Sequence, residues 1–581
     1  MRRPKRCSPI SRKKASSKGP QRKPARDGAG KDRKPATSVA REIPRRWEIA
    51  VVALLLALMS AQMIWMARVK SVTMDEPNHI ARGVTYLRAG DMRLGYLHPP
   101  LINVISALPL ALDSSIVVPL DHSTWQNREL GGFANQFLWR SNANTQSIVF
   151  RARLPIVALT LLLALVVYAW ARELYGRRAS VLALTLTAFS PGLLAHGALA
   201  TNDAGFTCFA ILAAYAFWRW LQQPGWKRAA IASIAFGLAM ATKLSALFLI
   251  PALALTAIAY WLSDPSEENP LRRIARLSGW LVLIGVAGAL ILWAIYGFKV
   301  GEVEGAGITL PAPGYIADLK LLQVRNDQGN PTFLFGSYSM TGWWYYFPVA
   351  FLAKTPLPAI ALMVAAGVYV IRKRTWRKSL PLLIPVAIYF AVSMAGALNI
   401  GYRHLLPALV LLTIFASQLA EYRWESKPRL AWGAATVILW LVVSVGATFP
   451  DHLAYFSEIV GGTRYGYKTL GDSNLDWGQD LIGLKEYMQR EGVSSVKLSY
   501  FGSVEPEVYG IEYEPLPAYP LHRWSKDYIP VQLLEPEPGV YAISVTNLQG
   551  IFFRHHELYA WFRERRPDAV IGHSIFVYRV K

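Results

Sequence analysis

Long uncharged apolar runs recur along the chain, separated by short segments rich in Lys and Arg. A helix needs roughly 20 apolar residues to cross the hydrocarbon core of a bilayer. Reading between charged residues gives eleven candidate spans, at 49–67, 154–171, 179–195, 204–221, 229–242, 244–262, 277–298, 347–371, 379–395, 404–420 and 430–449. A twelfth uncharged stretch, 94–112, carries Pro99, Pro100 and Pro109, which weaken it as a straight helix. With eleven spans and the N-terminus inside, the loops 172–178, 222–228, 263–276, 372–378 and 421–429 face the cytoplasm, and all carry Lys or Arg. The opposing turns near 196–203 and 396–403 carry almost none. Counting 94–112 as a span would break that asymmetry. It is therefore expected to be an interfacial or re-entrant helix on the outer side, where the non-helical His98-Pro99-Pro100 backbone is tolerated if it lines a cavity.

Three outer segments remain: a first loop of about 70–153, a second of about 299–346, and the C-terminal region 451–581. The last holds 17 acidic against 13 basic residues. Lys497–Phe501, Gly539–Val545 and Ser574–Val580 predict strands, and Asp480–Arg490 and His555–Arg565 predict helices. The expected organisation is a basic, disordered cytoplasmic arm over 1–47, a membrane domain over 48–450, and a small extracytoplasmic α/β domain over 451–581. No internal repeat of the solenoid or inverted-transporter kind is visible.

Composition supports the membrane assignment. The 581 residues are 53% hydrophobic and 17% charged, with a mean hydropathy of +0.24. The net charge is +24, and 17 Lys/Arg against 3 Asp/Glu in residues 1–47 supply +14 of it. That arm runs straight into the first span, so it is read as a topology and anionic-lipid determinant rather than a nucleic-acid site. It is too long for a signal peptide n-region. Two cysteines, Cys7 and Cys208, exclude a disulfide scaffold.

Ionisable residues at the ends of spans are functional candidates by default. On this topology Asp75, Glu76, His98, Asp203, Lys243, Lys354, Arg403 and His404 all fall on the outer face. Several have plainer readings. Asp203 could cap its helix, Lys243 and Lys354 could snorkel to headgroups, Arg403 could anchor the interface, and His98 could be a turn histidine. Adjacent Asp75 and Glu76, followed by Pro77 and His79, are harder to set aside, because two carboxylates repel and need partners. An outer carboxylate can act as general base for a hydroxyl. Nearby Lys, Arg and His can hold a phosphate and stabilise it as it leaves. Apolar walls can take a lipid tail. The set suits attack on a sugar carried by a lipid phosphate. Asp472, Asp476 and Asp480, spaced by four around Trp477, suit either helix capping or an acceptor or metal contact at the cavity rim.

TMDEP (73–77), HPPL (98–101), RARLP (151–155), ATNDAG (200–205) and GLAMATKLSALFLIP (237–251) together resemble the polytopic lipid-linked-sugar glycosyltransferases of the GT-C fold. That class is typified by the protein O-mannosyltransferases and the aminoarabinose transferase of lipid A. GWWYYFPVAFLAKTPLP (342–358), GYRHLLPAL (401–409) and GDSNLDWGQDLIGLKEY (471–487) resemble a bacterial branch. The resemblance spans about residues 48–420. It implies a helical polytopic membrane enzyme that moves a sugar from a polyprenyl-phosphate donor to a hydroxyl acceptor on the outer face of a bacterial inner membrane, with inversion. It implies Asp75 as general base and Glu76 in its support. Lys243, Arg403, His98 and Lys354 would serve the donor phosphate, and Asp203, His79 and His404 the substrate. Asn78 and His79 stand where the aminoarabinose enzyme has a phosphate-contacting Arg, so the donor can differ. No cofactor is obligatory, and a divalent metal is left open. A transporter of the same lipid-linked sugar is the alternative; it should show repeats and polar residues near mid-span.

Overall fold

A computed structural model describes residues 44–95, 97–263, 269–303, 307–422, 428–520 and 536–581. The basic arm expected over 1–47 therefore lies almost wholly outside the described residues, as do Cys7 and parts of the loops 263–276 and 421–429.

The protein is mostly helical. Among the described residues, eight helices are long and apolar enough to cross a membrane, and two bent pairs bring the number to ten. One bent pair, Tyr346–Lys354 with Leu357–Lys373, turns by 114° at Thr355-Pro356, where proline removes a donor and disfavours helix in the residue before it. The eleventh expected span corresponds to the helix Trp226–Met240, whose 15 residues give only about 22 Å of length. It packs against its neighbours Asn202–Gln222 and Pro270–Ile295. Cys208 is buried in the helix Asn202–Gln222 as a free thiol.

The expected outer helix is real but short, Leu101–Ala111, with Pro109 in its last turn. It lies against Glu76–Ala89, the first helix of the outer loop. Gly83 makes that approach possible: a Cβ there would meet the Asn103 carbonyl oxygen at 2.0 Å. On the other side, a Cβ at Gly205 would meet Ile102 at 2.4 Å. Two glycines thus seat this helix between Glu76–Ala89 and the span Asn202–Gln222.

The C-terminal region forms a five-stranded mixed sheet, in the order Tyr513–Pro515, Val496–Ser499, Gly539–Ser544, Ile575–Val580, Ala569–Ile571. The first three strands run parallel, Ile575–Val580 runs antiparallel to them, and Ala569–Ile571 pairs antiparallel with Ile575–Val580. The helix Leu481–Arg490 packs its Leu481, Leu484 and Met488 onto Leu498, Ala542 and Val577. The second predicted helix shrinks to Ala560–Arg563, and its aromatic residues are held by a cluster around Phe562 rather than by helical hydrogen bonds.

Candidate active site

Asp75 and Glu76 begin the helix Glu76–Ala89 and point to different places. Both Glu76 and Arg153 are fully buried. The Arg153 Nε and Nη2 donate to the two Glu76 oxygens at 2.8 and 2.6 Å. Backbone N–H groups of Thr73 and Ala200 add bonds of 2.9 and 2.8 Å. Burial alone would raise the Glu76 pKa, but Arg153 and these donors outweigh it and hold the group below the ordinary range. Arg153 spends its remaining donors on the Ala67, Lys70 and Ser71 carbonyls. This knot fastens the outer loop to the helix Thr145–Tyr175.

Asp75 lines a cavity at one end of the bundle, together with His79, His98, Asp203, Lys243, Arg403 and His404. Arg403 Nη1 is 3.3 Å from an Asp75 oxygen and 3.7 Å from Asp203, and the other Asp203 oxygen receives Lys243 Nζ at 2.6 Å. The four charges alternate in a chain, Asp75–Arg403–Asp203–Lys243. Asp203 is not the cap of its helix; Thr201 holds the N-cap position, and the carboxylate is engaged with cations. The Arg403 guanidinium also lies 4.2 Å from the centre of the Trp477 ring.

His79 and His98 stack at 6.0 Å. Burial pulls His79 down to about 4 and His98 well below its usual value, so near neutral pH both imidazoles are uncharged. They can offer a phosphate hydrogen bonds, whereas the positive charge comes from Lys243 and Arg403. Lys354 stands apart from the other candidates and does not line the cavity. Its Nζ donates to the carbonyls of Leu453, at 2.9 Å, and Asn474, and lies over the Phe456 ring. Two carbonyls and a ring engage this buried ammonium away from the cavity wall that gathers the other candidates.

The GDSNLDWGQDL stretch is the other half of the site. Asp472 and Trp477 line the cavity; burial raises the Asp472 pKa to about 6 against the pull of Arg403. Asn474 Oδ1 accepts the Tyr402 N–H at 2.9 Å and Ser473 Oγ donates to Ile400, which together fix the backbone before Arg403. Asp476 is sealed away, accepting the Thr546 N–H at 2.9 Å, and burial pushes it up to about 8. Asp480 makes no side-chain cap to the helix it precedes; it binds Lys70 at 2.6 Å and Ser574. Main-chain bonds from Ser71 to Gln479 and from Met74 to Trp477, at 3.0 and 2.9 Å, clamp the segment leading into Asp75. Capping does not explain these three carboxylates.

Some lining residues have little sequence signal. Asn202 is 2% exposed and neither of its amide atoms has a partner among the described residues. Arg325 comes from the helix Pro313–Gln328 of the second outer loop, and Phe501, Tyr519 and Phe552 come from the C-terminal region. The three rings lie nearly parallel, with Tyr519 and Phe552 at 4.3 Å. Among the described residues, no group of three or more His, Cys, Asp or Glu could hold a metal ion.

Residues 139–294 match the family model described as dolichyl-phosphate-mannose-protein mannosyltransferase. No curated protein matches this chain or any part of it. Among solved structures, the Saccharomyces cerevisiae protein O-mannosyltransferase Pmt1–Pmt2 complex bound to the sugar donor aligns at 12% identity and TM-score 0.50, over 71% of this chain and 90% of that one. ArnT from Cupriavidus metallidurans bound to undecaprenyl phosphate aligns at 13% identity and TM-score 0.45, over 92% and 98%. The chain is thus similar, in sequence over 139–294 and in fold over most of its length, to the polytopic GT-C glycosyltransferases that use lipid-linked sugars.

Proposed function

We propose that this chain transfers a sugar from a polyprenyl-phosphate donor to a hydroxyl acceptor at the outer face of a bacterial inner membrane. The observation that carries the proposal is the alternating chain Asp75–Arg403–Asp203–Lys243 along one cavity wall. A carboxylate that must take a proton is there beside cations that can receive a leaving phosphate.

In the reaction, an Asp75 oxygen takes the proton of the acceptor hydroxyl as that oxygen attacks the anomeric carbon. The bond from that carbon to the phosphate oxygen breaks, and the electron pair leaves with the lipid phosphate. Lys243 and Arg403 neutralise the departing charge, while His79 and His98 supply hydrogen bonds. Attack opposite the leaving group inverts the anomeric centre. Asp203 keeps Lys243 and Arg403 charged and in place. Asp472, Trp477 and the Phe501–Tyr519–Phe552 cluster lie on the side formed by the C-terminal region and take the acceptor. Glu76 positions the loop and does not touch substrate.

Purified protein incubated with a labelled polyprenyl-phosphate sugar tests the proposal. Release of free lipid phosphate with a label on a hydroxyl compound is expected. Movement of intact donor between leaflets without cleavage would replace the transferase with a transporter.

A further inference from the structure

The ion pair Asp203–Lys243 is flanked in sequence by neutral polar side chains that no step of the transfer above uses. Asn202 precedes Asp203, and Ser245 follows Lys243 by two positions; both line the reaction cavity. The Lys243 Nζ contact of 2.6 Å with Asp203 draws the two segments together. It carries Asn202 and Ser245 to the cavity next to the cations assigned to the donor phosphate.

Asn202 stands out by its hydrogen bonding. It is the first residue of the helix Asn202–Gln222 and is 2% exposed. Neither its Oδ1 nor its Nδ2 has a partner among the described residues. Polar groups so deeply buried are nearly always paired, and each exception calls for an explanation. Capping is not the explanation, because Thr201 holds the N-cap position. A carboxamide presents an acceptor and a donor side by side, and a sugar hydroxyl presents the same two functions in return. A phosphate oxygen would satisfy only Nδ2, and an ammonium only Oδ1. Ser245, half-buried at the same cavity, adds a hydroxyl with the same dual capacity. An unsatisfied buried amide destabilises the empty protein, and a hydroxyl-bearing ligand at the cavity would complete it.

We propose that Asn202 reads a hydroxyl of the donor's sugar, and that the sugar read there is neutral and hydroxyl-rich rather than an amino sugar. The inference rests on the transferase reading above, with the sugar next to the phosphate held by Lys243 and Arg403. It makes Asn202 a specificity-determining residue, since a site built to hydrogen-bond a hydroxyl strongly rejects a ligand without one.

The test measures binding, so it does not depend on turnover. The purified full chain is titrated with undecaprenyl-phosphate mannose, undecaprenyl-phosphate glucose, undecaprenyl-phosphate aminoarabinose and undecaprenyl methyl phosphate, a diester with no sugar. Bound lipid is followed by native mass spectrometry. At least one hexose donor should bind about tenfold or more tighter than both the methyl diester and the aminoarabinose donor. Asn202→Leu, close in size and without the amide, should erase that advantage and leave the methyl diester unchanged. Its melting temperature should stay equal or rise, because an unpaired polar group is removed. Asn202→Ala takes its place if Asn202→Leu fails to fold. A hexose advantage retained in the variant overturns the inference, whether or not the parent transfers sugar. So does tighter binding of the aminoarabinose donor, or a parent that binds no hexose donor better than the methyl diester. An advantage lost in the variant, in a parent that releases no lipid phosphate, would keep the sugar contact and overturn the transferase reading instead.

Discussion

The cavity wall at Asp75 and the sealed seam at Glu76 are neighbours in sequence and opposites in environment. Glu76 is fully buried and held by a bidentate guanidinium and two backbone donors. Asp75 is about a quarter exposed (23%) and meets Arg403 by one long contact of 3.3 Å. A saturated carboxylate has no lone pair to spare for a proton in flight, and a loosely held one does. The same chemical group thus serves as a rivet in one region and is left accessible at a cavity in the other, and the difference lies in how many donors each has been given.

The sharpest way to break this contrast is Asp75→Asn. Transfer should fall by about 10²–10⁴-fold, while melting in detergent and membrane insertion stay as in the parent. Full activity in folded protein would remove Asp75 as the base. Glu76→Gln should do the reverse. It leaves Arg153 buried without its counter-charge, which costs about 3–5 kcal/mol of stability, read as a lower melting temperature. Whatever fraction folds should keep most of its turnover. A Glu76→Gln protein with parental melting and no activity would mean that the seam does chemistry.

Arg403→Lys sharpens the comparison from the cavity side. Lysine keeps the charge but loses the planar fork that reaches both Asp75 and Asp203 and stacks on Trp477. We expect kcat/KM for the donor to fall about tenfold or more, with stability nearly unchanged. The smallest effect concerns pH. Burial raises Asp472 to about 6 and Asp476 to about 8, above the roughly 3.9 of an unfolded aspartate. Each therefore favours the folded state fully only below about pH 4, and that contribution is lost as pH climbs through the folded values. Melting temperature should decline between about pH 4 and pH 8, and Asp476→Asn should flatten that decline. An unchanged slope in that variant would show that Asp476 does not titrate there.

Much of this was legible because hydrophobic runs and their charged flanks are local signals. Asp75, Asp203, Lys243 and Arg403 could be picked out because charge at the end of an apolar run is costly, and the structure gathers all four. Lys354 satisfied the same rule and belongs to a different environment, since its carbonyl partners come from residues 453 and 474, about a hundred positions away. The same long range hid the tasks of Asp472, Asp476 and Asp480. Their regular spacing looks like a capping pattern, yet one lines the cavity, one accepts from Thr546 and one grips Lys70. Arg325 gave no warning, because a polar side chain in a loop becomes notable only once it is known to face a cavity.

The clamp between residues 71–74 and 477–479 has a consequence for biosynthesis. The strip of chain that presents Asp75 leaves the ribosome early, and the residues that mould it arrive some four hundred positions later. Until the final quarter has folded against it, a nascent molecule has this strip without the main-chain bonds that hold its shape. The C-terminal region is in that sense the part that completes the cavity last.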